Sequence, residues 1–164
     1  MYDEVRKICL HDYSDVNELT DSCLIKLIYD IIDIDEVPNA LYELQRRKGN
    51  FSIDMAKNII INKLGDEFLQ GAVIEFIFEF DKQFVVNYTE KNLECLNYYV
   101  FGCIINLFAI EAKQLFGENL SKIFLQNIIN IYNDYDKEQK RKIEDKFCLF
   151  LSSYKDKIGP ITKK

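Results

Sequence analysis

VPNALYELQRRKG, residues 37–49, decides how the rest of the chain is read. Val37, Leu41 and Leu44 fall at i, i+4 and i+7, one face of an α-helix. Pro38 fits the first helical turn, where its missing N–H is least costly, and Asp35 stands where a capping residue belongs. Lys48 and Gly49 close the segment, a cation beside the carboxyl end and then a residue free to turn left-handed. In the middle sits a small residue, Ala40. Two further amphipathic stretches do the same, with Ala72 in FLQGAVIEFIFEF (68–80) and Cys103 in NYYVFGCIINLFAI (97–110). The steps are 32 and 31 residues, about one helical hairpin with its turns. A period in this range marks stacked helical repeats, each burying its apolar stripe against its neighbours. Such stacks usually grip another macromolecule rather than transform a small one.

Outward from residue 37, the pattern predicts a first helix over about Glu18 to Asp33, with Leu24, Ile28, Ile31 and Ile32 in one stripe. Ser52 opens a third helix with Ile53, Ala56, Ile60 and Leu64 inward and Gly65 as its stop. Phe68, Ala72, Phe76 and Phe80 form the expected stripe of a fourth. The segment from Lys82 to Tyr88 also has strand-like chemistry in FVVNY. Thr89 is expected to cap a helix from about Glu90 to near Phe116, stopped by Gly117. Asn119 then caps a helix with Leu120, Ile123, Phe124, Ile128 and Ile131 inward. Asp136 and Gln139 have capping-box spacing before a last helix through Ile143, Phe147, Phe150 and Tyr154, ended by Gly159-Pro160. The expected fold is all-α, with about 7–9 helices in a short right-handed stack of antiparallel hairpins or a helical bundle. One domain is expected over residues 1–164, with the repeat core at about 36–133 and a basic C-terminal helix at about 137–158.

Composition narrows the function classes. The 164 residues are 48% hydrophobic and 29% charged, which suits a folded chain and not a disordered one. Net charge is −6, unevenly spread: residues 137–164 carry 9 basic and 4 acidic side chains, while everything before them is acidic. An acidic body repels phosphate, so direct nucleic-acid binding is not expected. The basic tail (KEQKRKIEDK, then YKDK and ITKK) reads as dipole complementation and solubility rather than RNA contact. The longest uncharged run, Cys95 to Ile110, is short for a membrane span and reads as a central buried helix. The N-terminus has acidic residues where a secretion signal needs basic ones. Five cysteines (Cys9, Cys23, Cys95, Cys103, Cys148) form no CxxC pair and read as small core residues with reduced thiols. Together these point to a cytoplasmic location.

Chemistry is sparse. His11 is the one histidine, so no Ser-His-Asp triad or two-histidine metal site is expected, and a Cys-His pair would have to use it. Phosphate-cradling glycine loops are missing. No catalytic residue, metal or cofactor is expected. The suggestive cluster is acidic. Asp30, Asp33, Asp35 and Glu36 lie at one hairpin end, and Glu75, Glu79 and Asp81 lie along the fourth helix, with Glu75 and Glu79 at i, i+4. Like charges at that spacing cost a helix a little unless a cation arrives. Tyrosines, Tyr42 among them, run close to these acids and supply large contact area with few rotors. These eight residues are the candidate partner-binding set, suited to an Arg/Lys-rich protein.

VPNALYELQRRKG and FLQGAVIEFIFEF resemble the first helices of HEAT-type repeats, over roughly residues 36–133. In size, charge and repeat texture the chain also resembles bacterial immunity proteins, which neutralise polymorphic or contact-dependent growth-inhibition toxins. That resemblance implies a non-enzymatic inhibitor that occludes the active site of a basic toxin domain, often a nuclease; the oligomeric state stays open, with a monomer favoured. Charge reversal of Glu75, Glu79 and Asp33 would then weaken binding. The competing classes are a helical-repeat scaffold or adaptor and a HEAT-like nucleic-acid-processing enzyme. The latter would need a basic groove, and a gel shift separates it.

Overall fold

The computed structural model describes residues 16–112 and 120–159. All regular structure among them is helical. The helices are α1 (Asp21–Asp30), α2 (Val37–Lys48), α3 (Asn50–Ile61), α4 (Glu67–Phe80), α5 (Lys82–Asn92), α6 (Tyr98–Glu111), α7 (Lys122–Asp134), α8 (Lys137–Ser153) and α9 (Lys155–Ile158). Single 3-10 turns occupy Val16–Glu18 and Leu93–Cys95. The chain divides into two compact units, Met1–Lys82 and Gln83–Lys164. The positions expected to matter at Cys9, His11, Phe116, Gly117, Asn119, Pro160 and the ITKK tail lie outside the described residues.

In the first unit α2 is the central element. It packs against α1, α3, α4 and the Val16–Glu18 turn. Val37, Ala40, Leu41 and Leu44 are all fully buried on it, as their spacing predicts. Each large apolar side chain so enclosed is worth about 1.5–3 kcal/mol of burial. Thr20 caps α1 by accepting from the Cys23 N–H, and Asp66 caps α4 by accepting from the Leu69 N–H at 2.9 Å. Gly65, before that cap, has φ +72°, and a Cβ there would stand 2.5 Å from Leu69 Cδ2. A side chain would meet both backbone strain and the helix it introduces.

The second unit centres on α6, whose packing is chiefly against α8. Val100 to Ile105, Phe108 and Ala109 are buried, so the long uncharged run is a core helix. Gly102 permits the contact, since a Cβ would lie 2.7 Å from Ile143 Cγ2 of α8. Aromatic pairs join the rest: Phe108 with Phe124 of α7, and Tyr132 of α7 stacked on Phe147 of α8 at 3.5 Å. The Tyr154 hydroxyl donates to the Phe108 carbonyl at 2.9 Å, and Tyr135 donates to the Leu96 carbonyl. Burial pushes both phenols up to about 12. Asp136 and Gln139 form the expected capping box.

Several expectations are corrected. The α4 stripe is rotated: Phe68 and Phe80 are exposed and Ala72 half-buried, while Leu69, Val73, Ile74, Phe76 and Ile77 are inside. Apolar residues surround this helix, so periodicity alone offers more than one stripe. Of the three recurring small residues Ala40 keeps its buried place and Ala72 does not, and the buried Gly71 beside it stands 31 residues before the buried Gly102. Cys103 is buried beside Gly102. Ile123, expected inward, is 75% exposed, and Leu125 and Ile129 take the core side. FVVNY is helical within α5, and Thr89 is no cap: it lies buried there, its hydroxyl donating to the Val85 carbonyl. Asn97 caps the next helix instead, so the predicted helix from Glu90 is broken before Tyr98. Ser52 sits inside α3 and bonds the Gln45 side chain rather than opening the helix. Glu36, not Asp35, holds the position before α2, and α1 ends early at Ile31, whose φ is +47°. Cys95 and Cys148 are exposed and so are not core residues.

Candidate functional site

All eight candidate residues lie in the first unit. Three come together across α2 and α4. The Tyr42 hydroxyl donates to Glu79 Oε2 at 3.0 Å, tying the middle of α2 to the end of α4. Its ring meets Phe76 edge-on at 4.9 Å and Phe80 at 6.3 Å, and Phe76 and Phe80 are 5.1 Å apart. Phe76 is buried, whereas Tyr42 and Phe80 are 42% and 41% exposed, leaving two rings half in solvent beside a carboxylate. Burial, the bond to Glu79 and the negative charges of Glu79 and Glu75 push the Tyr42 phenol up to about 12. Glu75 is one turn before Glu79, and both are exposed. No ion pair joins either to a cation among the described residues.

Glu36 belongs to the same face. With Asn17, Asn39, Tyr42, Glu43 and Arg46 it lines a shallow depression along α2. Its Oε2 accepts from Asn39 Nδ2 at 3.1 Å. The other four candidates serve the fold or stand apart. Asp33 Oδ1 accepts from the Asp35 N–H and holds the turn before α2. Asp81 is paired with Lys57 Nζ at 2.7 Å. No hydrogen bond or ion pair among the described residues joins Asp30 or Asp35 to Tyr42 or Glu79.

Sequence reading missed the charge network beside this face. Glu43 is only 5% exposed and accepts from Arg46 Nε and Nη2 and from Arg47 Nε. The hydrogen bond from Arg46, helped by Arg47, holds its carboxyl down at about 2 despite burial. Arg47 also donates to the Leu19 and Asn17 carbonyls and pairs with Asp21, which Lys48 holds as well. Those two cations, Lys48 first, lower the Asp21 carboxyl below its usual range. The signal was present in ELQRRKG, where Glu43 precedes Arg46 by three and Arg47 by four, the spacings that meet on a helix.

The arrangement can hold a cation. Exposed rings offer their faces to an ammonium or guanidinium, and adjacent carboxylates accept its hydrogen bonds. Among the described residues no group of three or more His, Cys, Asp or Glu is placed to hold a metal ion. None of their helices is long and apolar enough to cross a membrane. No known family model, curated protein or solved structure matches the chain.

Proposed function

We propose that this chain is a non-enzymatic protein-binding inhibitor whose first unit grips a cationic protein. In the biological role we propose, it is a cytoplasmic bacterial immunity protein that covers the active site of a cognate basic toxin domain, such as a nuclease. The observation that carries this reading is the Tyr42–Glu79–Glu75 face, with two half-exposed rings beside two carboxylates that no cation of the described residues neutralises. Charge supports it: residues 1–82 hold 17 acidic and 9 basic side chains, a net of −8. A nuclease is positive where it holds phosphate, so carboxylates presented there speed association and select the partner.

The test uses Glu36→Lys, Glu75→Lys and Glu79→Lys together. Asp33 is left out because its carboxylate holds a turn, and its reversal would confound folding with binding. If a large secreted toxin is encoded directly upstream, its C-terminal domain should co-purify with the chain and lose activity. The triple variant should bind about tenfold or more weakly, about 1.4 kcal/mol, and the wild-type affinity should fall as salt rises. Undiminished affinity in the variant removes the face; an untouched toxin removes the role.

A further inference from the structure

We infer that the first unit carries a second contact point for the same cationic protein: an apolar groove between α1 and α3 that receives the large apolar side chains of a basic amphipathic helix. The inference rests on the reading of this unit as the gripping half. Ile25 and Ile28 of α1, Met55 and Ile59 of α3 and Leu64 after it line a hollow of about 310 Å³. Two aromatic side chains flank it, and neither is covered: Tyr29 is 73% exposed and Phe51 48%. Half-open aromatic walls around an apolar floor are the surroundings in which a partner's anchor side chain gains most from leaving water.

Three features specify the occupant. Volume comes first: the hollow sits at the small end of ligand pockets, roughly 300–1,000 Å³, which suits side-chain anchors better than a cofactor. Its walls are two helices and no strand edge occurs among the described residues. A partner therefore has no strand edge to extend, and an apolar helical stripe laid lengthwise fits walls made of two helices. Charge sets the sign. Asp54 is the one charged residue lining the groove, Asn58 is its polar neighbour one turn on, and no cation lines it. A helix flanked by Lys or Arg meets Asp54 favourably, and an acidic one meets repulsion from a unit of net −8.

A short amphipathic Leu/Lys helix with one Trp in its apolar stripe tests this, because the chain itself has no Trp. Adding the full-length protein should shift the probe's Trp emission to the blue. Tyr29→Glu and Asp54→Lys, both at exposed positions, should each weaken binding about tenfold or more while leaving Tm unchanged, and Met55→Glu, at a half-buried position, should weaken it as well. A Leu/Glu helix should not bind. Probe binding lost in Glu75→Lys/Glu79→Lys but kept in Tyr29→Glu overturns the groove and leaves the acidic face standing. The reverse pattern keeps the groove and counts against that face. Equal binding of the acidic helix overturns the inference. So does a dimer in sedimentation that Tyr29→Glu abolishes, or Trp-independent capture by anionic vesicles that Tyr29→Glu abolishes.

Discussion

The two units are built from helices of similar length, yet they handle charge in opposite ways. Residues 1–82 have a net charge of −8, and residues 83–164, with 12 basic against 10 acidic side chains, are at +2. In the first unit three carboxylates are matched internally: Glu43 by Arg46 and Arg47, Asp21 by Lys48 and Arg47, Asp81 by Lys57. At the candidate face Glu36, half-buried, and Glu75 and Glu79, both exposed, are joined to no cation among the described residues. In the second unit several lysines turn inward onto their own surroundings. Lys142 Nζ stands 5.3 Å from the Tyr98 ring centre and pairs with Glu138, and Lys146 stands 5.5 Å from that of Tyr99. Lys140 donates to the Asn133 carbonyl. Lys140 and Lys142 belong to the first half of α8, Lys146 lies just past its middle and the last turn holds no basic residue, so they do not complement its dipole as the sequence suggested. Net charge thus says little about binding until each charge has been assigned its partner.

The sharpest challenge to this comparison goes to the cores. Phe76→Ala and Phe108→Ala each remove a fully buried ring. Each should cost about 3–5 kcal/mol in urea unfolding, and a much smaller loss in one would show that the two units are not equally well packed. Next is Gly102→Ala, which should cost about 1–3 kcal/mol by overpacking, with Ile143→Leu, which lacks the Cγ2 methyl that the new Cβ would meet, returning part of it. No return would mean that Ile143 is not the clashing neighbour. A smaller effect concerns acid. Glu43 falls from 4.5 unfolded to about 2 folded, so its stabilisation is present above pH 4.5 and is lost as pH falls toward 2. Glu43→Gln should lower stability at neutral pH and flatten the acid limb between those values; an unchanged limb would mean that other carboxylates govern it. The smallest expected effect is none. Arg141→Glu on α8 should leave affinity for the proposed cationic partner unaltered, and a large change would move the proposed binding surface to the second unit.

The site was half legible. Tyr42, Glu75, Glu79 and Glu36 could be listed from the sequence because acidic and aromatic side chains near one another in the chain are visible there. Their separation from Asp33, Asp35 and Asp81 could not, since that depends on which carboxylate meets a cation or an N–H across a turn. Lys57 lies 24 residues from Asp81, and no local pattern links them. Tyr42 and Glu79 are 37 apart, and only the packing of α2 on α4 brings the phenol to the carboxylate.

By itself the sequence determined that the chain is helical, where α2 and α8 bury their stripes, how α8 is capped and how acidic the first half is. These are properties of neighbours a few residues apart, governed by helical period and capping chemistry. The tertiary structure alone decided the phase of α4, the break before Tyr98 and the identity of the exposed face. A helix with apolar residues on most of its sides, as α4 has, offers more than one stripe until its neighbours are in place, and a charge becomes available to a partner only when no cation of its own chain has neutralised it.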